Sequence, residues 1–161
     1  MRRTTAVLVA AMTLLLTGCS VPNFGAPRPT TGVEGVMKAF EAWTGALADG
    51  KGGRACDMMI DTAARDFTAL LGADSCPAAV KALHGKLTAD ERKALATAKI
   101  ARDKVDFDSD DAARFWYGDV RTDKGPFVLL PGRDWNVTVF CWCDDTWKVQ
   151  YPAEHQQRPT G

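Results

Sequence analysis

Histidine is almost missing from this chain: His84 and His155 are the only two in 161 residues. His84 follows Leu83 within a helical pattern, and His155 lies in a polar tail. Neither has a neighbouring serine or cysteine from which a nucleophile–base arrangement can be read, so no catalytic residue is assigned. Basic runs are also absent. Lys and Arg total 20 against 20 Asp and Glu, and the two signs are interspersed, as on a solvated surface. That excludes the basic footprint of a nucleic-acid binder. There is no internal repeat. The apolar run at residues 6–16 falls short of the roughly 20 residues that a spanning helix needs. Asp106-x-Asp108-x-Asp110 begins like a calcium loop, but an EF-hand requires glycine at its sixth position and glutamate at its twelfth. Asp111 and Tyr117 stand there, so the segment reads as an acidic hairpin turn, and no metal or other cofactor is expected.

What is present starts at the N-terminus. Arg2 and Arg3 precede the run at residues 6–16, which only Thr13 interrupts, and Leu16-Thr17-Gly18-Cys19 follows. These residues resemble a bacterial lipoprotein signal with its Leu-small-small-Cys box. The resemblance implies that residues 1–18 are a signal peptide, removed before Cys19, and that Cys19 carries a diacylglycerol thioether. Two acyl chains of the palmitate kind hold a protein at a membrane stably where one does so marginally, at about 0.8 kcal/mol per buried methylene. The expected location is the extracytoplasmic face of the cell membrane. Residues 20–31 contain three prolines and a glycine, so 19–31 read as the lipidated cysteine and an extended tether. Residues 32–152 form one domain large enough for a real core, and 153–161 a polar tail.

Setting Cys19 aside leaves Cys56, Cys76, Cys141 and Cys143, an even number that points to disulfides in an exported domain. Cys56–Cys76 is the favoured pair because both lie in the helical half; its loop of roughly 20 residues would contribute about 3 kcal/mol. Cys141 and Cys143 sit at i and i+2, where a regular strand puts Cα atoms about 6.6 Å apart on one face. A bond between them needs a bulge or a turn, which Asp144-Asp145 could begin. Cross-links to Cys56 and Cys76, or free thiols, are the alternatives. A soft-metal or redox role for Cys141-Trp142-Cys143 is weaker, because two thiolates are an incomplete zinc set.

Thr31-x-x-Glu34 has the capping-box pattern, followed by a helical stripe of Val33, Val36, Met37, Phe40, Trp43 and Leu47. A second stripe, Cys56, Met59, Ile60, Ala63, Phe67 and Leu70, runs to Gly72 with a break expected near Asp61-Thr62. Ser75-Cys76-Pro77 starts another helix, with Val80, Leu83 and Leu87 inward. Thr88-x-x-Glu91 caps a last one ending near Ala98. Strands are expected at 104–107, 112–120, 127–130, 135–142 and 147–151. In the fourth, Trp135, Val137, Val139 and Cys141 share a face opposite Asn136 and Thr138. Asn136-Val137-Thr138 also matches the glycosylation acceptor, a chance match in a bacterial strand.

Helices first and a strand meander after make an α+β pattern. With Trp147-Lys148-Val149 as the last strand and Cys56 and Cys76 about 20 residues apart, the order resembles the NTF2-like (cystatin-like) α+β roll of exported actinobacterial lipoproteins. The second cysteine pair is outside that pattern. The resemblance implies helices packed on the concave face of a curved antiparallel sheet, enclosing a conical space.

Five tryptophans are many for this length, and Trp116, Trp135, Trp142 and Trp147 fall in the sheet half. Rings of this size fill a cone as core; alternatively Phe40, Trp43, Trp116, Trp135 and Trp147 wall a pocket for a small apolar ligand. For an acid–base pocket the candidates are Asp103, Asp119 and Arg114. The expected function is that of a membrane-anchored, non-enzymatic binding module for a small apolar ligand or an envelope partner. A filled cone would favour protein–protein interaction or a structural envelope role. A buried acid–base residue inside the cone would favour an NTF2-like enzyme.

Overall fold

A computed structural model describes residues 32–131 and 135–154. Five helices come first among the described residues: α1 (Val33–Ala48), α2 (Gly52–Asp57), α3 (Asp61–Leu70), α4 (Cys76–Lys86) and α5 (Ala89–Ala96). The strands are β1 (Lys99–Ile100), β2 (Asp106–Ser109), β3 (Ala112–Trp116), β4 (Val120–Arg121), β5 (Trp135–Cys143) and β6 (Thr146–Glu154). They form two antiparallel sheets, β1-β4 and β2-β3-β5-β6. The class is therefore α+β. Cys19, the tether and His155 lie outside the described residues.

The α1 stripe is buried as its spacing demands: Val36, Phe40, Trp43 and Leu47 are all 0% exposed. Its cap differs from expectation. Gly32 is the N-cap, with φ 86° and no side-chain cap bond. Thr31 lies outside the described residues, and the Glu34 carboxylate pairs with Arg102. The α2–α3 stripe breaks at residues 58–60, just before the expected point. There Met59 bridges Val149 of β6, Val149 N–H donates to Met58 O at 2.8 Å, and Ile60 N–H donates to Val149 O at 3.0 Å. The linker thus satisfies backbone groups on the edge of β6 that a continuous helix would leave open.

Ser75 caps α4, its hydroxyl accepting from Ala78 N–H at 3.4 Å. Thr88 and Glu91 form the expected reciprocal capping box on α5. Three expected strands change. The strand expected at 112–120 divides into β3 and β4, with a 3-10 turn at Tyr117–Asp119 between them and β4 pairing with β1 in the other sheet. Arg102–Lys104 is a short 3-10 turn, so β2 starts at Asp106. Residues 127–130 join no sheet, although Phe127, Leu129 and Leu130 are buried. Pro126 and Pro131 flank the segment and cannot donate to a ladder. It is held by side chains instead, Phe127 packing edge-on against Phe40 and Tyr117.

The core is built from rings. Phe40 of α1 meets Phe115 of β3 at 4.6 Å between centroids, and Phe115 stacks on Phe140 of β5 at 5.8 Å. Paired residues share a face, so the pairs Ala113–Phe140, Phe115–Thr138 and Trp142–Trp147 lie on the helix side. Trp116–Val137 and Arg114–Val139 lie on the other.

The cysteines form two disulfides. Cys56–Cys76 joins α2 to the start of α4, with Cα atoms 6.1 Å apart. Cys141–Cys143 closes within β5, with Cα atoms 5.5 Å apart, shorter than the spacing of a regular strand. The ladder shift between Val139 and Phe140 and the turn at Asp144-Asp145 border this contraction on either side.

Candidate functional site

The β5–β6 hairpin turns through Asp144 and Asp145, both left-handed, with φ of 52° and 59°. Two successive positive φ values give the turn that suits the twist of a two-residue hairpin. Its register sets Trp142 opposite Trp147 and Cys143 opposite Thr146. The β2–β3 hairpin tip lies at the same end of the sheet: Ala112 pairs with Cys141, and Trp142 N–H donates to Asp111 O at 2.7 Å. Phe107 of β2 meets Trp147 edge-on at 5.9 Å, and Trp142 meets Trp147 at 5.6 Å. One sheet end therefore carries three contiguous rings. Trp147 is buried beneath them, Trp142 is half-buried and Phe107 is 40% exposed.

Trp147 also borders a cleft of about 250 Å³ between this end and the start of α1, lined with Gly35, Lys38, Ala39, Asp57 and Met58. Its indole Nε1 is buried and finds no acceptor among the described residues. A second groove of about 550 Å³ lies away from the rings, beside β1 and β4, with Lys99, Arg121 and Asp123 in its walls.

The residues expected to wall a pocket separate. Phe40, Trp43 and Trp147 sit in the helix-facing core, and of the three Trp147 also borders the cleft beside α1. Trp116 is buried as well, but on the opposite face of the sheet beside Val137. The side chain of Trp135 lies outside the described residues. Val137, Val139 and Cys141 do share a face, and it is the one turned away from the helices, while Thr138 and Phe140 point inward.

The charged candidates are drawn into structural contacts. His84 Nδ1 is 2.8 Å from Ala48 O, tying α4 to the end of α1. Arg114 pairs with Asp108 at 3.0 Å, and Asp103 lies 3.9 Å from Lys104 on the surface. Asp119 is half-buried beside the short turn after β3. Asp106, Asp108 and Asp110 are exposed along β2 and its tip. Among the described residues no His/Cys/Asp/Glu group has a metal-binding arrangement, and no helix is long and apolar enough to cross a membrane. The buried polar residues among them are Thr44 and Thr138. Thr44 donates to Phe40 O at 3.0 Å, and Thr138 Oγ1 lies 2.7 Å from the Tyr117 hydroxyl. Burial pushes the Tyr117 phenol well above its ordinary range, and the Thr138 hydrogen bond offsets this only in part.

Phe107 and Trp142 were not singled out from sequence as site residues. A signal existed: Trp142 and Trp147 are symmetric about Asp144-Asp145, which places them opposite each other in a two-residue hairpin. Phe107 had none, because its neighbour is set by strand order. Comparison with known proteins returns no matching family model, curated protein or solved structure.

Proposed function

We propose that this chain is a lipid-anchored, extracytoplasmic module that works by binding rather than catalysis. Its folded part is an NTF2-like roll, with the helices closing the concave face of the four-stranded sheet and the chain tethered to the cell membrane through Cys19. Docking to an envelope partner is favoured over capture of a small apolar ligand in the cone. The carrying observation is the filled interior: Phe40, Trp43, Phe115 and Phe140 are all 0% exposed, and Phe115 packs ring against ring with both Phe40 and Phe140. A ligand of even modest size would have to displace core side chains, at several kcal/mol for each large one removed from its place.

Two measurements test this. Titration of the folded protein with an apolar solvatochromic dye is expected to give no saturable one-to-one emission. Stoichiometric binding that quenches the buried tryptophans would replace docking by ligand capture. In a bacterial host, Cys19→Ala is expected to move the protein from the detergent-rich to the aqueous phase; its retention with detergent would overturn the anchor.

A further inference from the structure

We infer that the sheet end bearing Phe107, Trp142 and Trp147 is a docking surface for an extended basic segment of a partner protein, one apolar side chain seated on the rings and Lys or Arg heads on the surrounding aspartates. This deepens, and rests on, the docking reading above. Phe107 is one of only two large hydrophobic residues exposed among those described, and it is continuous with two tryptophans. Tryptophan and other rings at the centre of a patch, with a polar rim, form the usual anatomy of a protein interface and of its energetic anchors.

The rim carries the sign. The two hairpin tips at this end hold Asp110, Asp111, Asp144 and Asp145. Asp144 meets Lys148 at 2.8 Å, and Asp111 accepts from the Ser109 hydroxyl at 2.5 Å. Asp110 stands exposed. In a chain whose charges balance overall, this is a local excess of negative charge. It disfavours an anionic lipid surface and a second copy presenting the same patch, and it favours a cationic partner, whose Arg or Lys also gains from the ring faces. The Cys141–Cys143 disulfide brackets Trp142 from the opposite face of the strand. It restricts the backbone that presents the ring, which lowers the ordering entropy lost on docking.

The test uses the mature chain in mild non-ionic detergent, with short peptides of alternating Lys and Leu, Glu and Leu, or Lys and Ser, followed by tryptophan emission and by chemical-shift mapping. The Lys–Leu peptide is expected to bind about tenfold more tightly than either control and to weaken as ionic strength rises. Its shifts should centre on the three rings. Phe107→Ala, and separately Asp110→Asn with Asp111→Asn, should each weaken it about fivefold or more while leaving the circular dichroism spectrum unchanged. Equal binding of the Glu–Leu peptide, shifts mapping to the groove at Lys99 and Arg121, vesicle binding through the rings, or self-association lost in Phe107→Ala would each overturn the assignment. A dye-binding interior would defeat the docking reading itself. A dye-free interior without preference for the basic peptide would defeat only this surface.

Discussion

Thr138 takes a polar group completely out of water, with its Oγ1 2.7 Å from the Tyr117 hydroxyl. Thr138→Val keeps the shape and removes that contact, so stability should fall by about 1–3 kcal/mol, read from the urea midpoint. A loss below about 0.5 kcal/mol would show that the bond contributes little. Tyr117 adds a pH dependence of known sign. Its folded-state pKa is raised, so stability is intact below the ordinary phenol range near 10 and declines above it, where only the unfolded chain ionises. Gly52 and Gly53 make a contrasting pair. A Cβ on Gly52 would lie 2.7 Å from Pro77 Cα, a backbone atom near the Cys56–Cys76 bridge, whereas one on Gly53 meets nothing within 4 Å. Gly52→Ala should cost about 1–3 kcal/mol, and Gly53→Ala should be neutral or stabilise by up to about 1 kcal/mol. Thermal denaturation of both variants checks this. Neither the Thr138 contact nor the Pro77 approach was legible in sequence, because both partners come from distant elements.

At the scale of elements, local rules held where the bonds are local. The Thr88–Glu91 box was legible because each partner lies within one helical turn of the other. The Glu91 carboxylate is held below its ordinary pKa, first by the Thr88 backbone N–H and then by the Thr88 hydroxyl. Its contribution to α5 is therefore present above the usual glutamate range and lost as pH falls through the lowered value. Thr88→Ala should cost about 1 kcal/mol and flatten that acid dependence, visible in amide exchange of α5. The β5–β6 turn has two non-glycine residues at positive φ. Asp145→Gly should relieve about 1 kcal/mol of backbone cost and raise the unfolding midpoint; a fall would mean that the Asp145 side chain contributes more than its backbone costs. Strand 127–130 failed as an expectation because apolar content marks burial, whereas pairing also needs backbone donors that the flanking prolines lack.

The whole molecule is stapled twice, unequally. The Cys56–Cys76 loop spans 20 residues and the Cys141–Cys143 loop only a separation of 2. Chain entropy then assigns about 3 kcal/mol to the first and about 1.5 kcal/mol to the second. Replacing each pair by alanine and comparing urea midpoints checks the ratio; equal losses would mean that the short bridge acts by shaping the hairpin rather than by restricting the unfolded chain. The four-stranded sheet leaves β2 as an open edge with every residue exposed, and its aspartates at positions 106 and 108 oppose unplanned strand pairing there. Phe107 pairs with Ala113 on the helix side, whereas Asp106 pairs with Arg114 on the opposite face, so edge protection and the ring patch use opposite faces of one short strand.

Sequence by itself determined the α+β order, the buried stripe of α1, the caps of α4 and α5, and the favoured Cys56–Cys76 pair. These rest on spacing along the chain, which a helix or a hairpin converts directly into position. Only the tertiary structure decided which face of β5 turns to the helices, since alternation defines two faces without naming the inner one. Tertiary packing also brought Phe40, Phe115 and Phe140 into mutual contact and set Phe107 beside Trp147, because those neighbours are fixed by strand order and by helix docking across long separations.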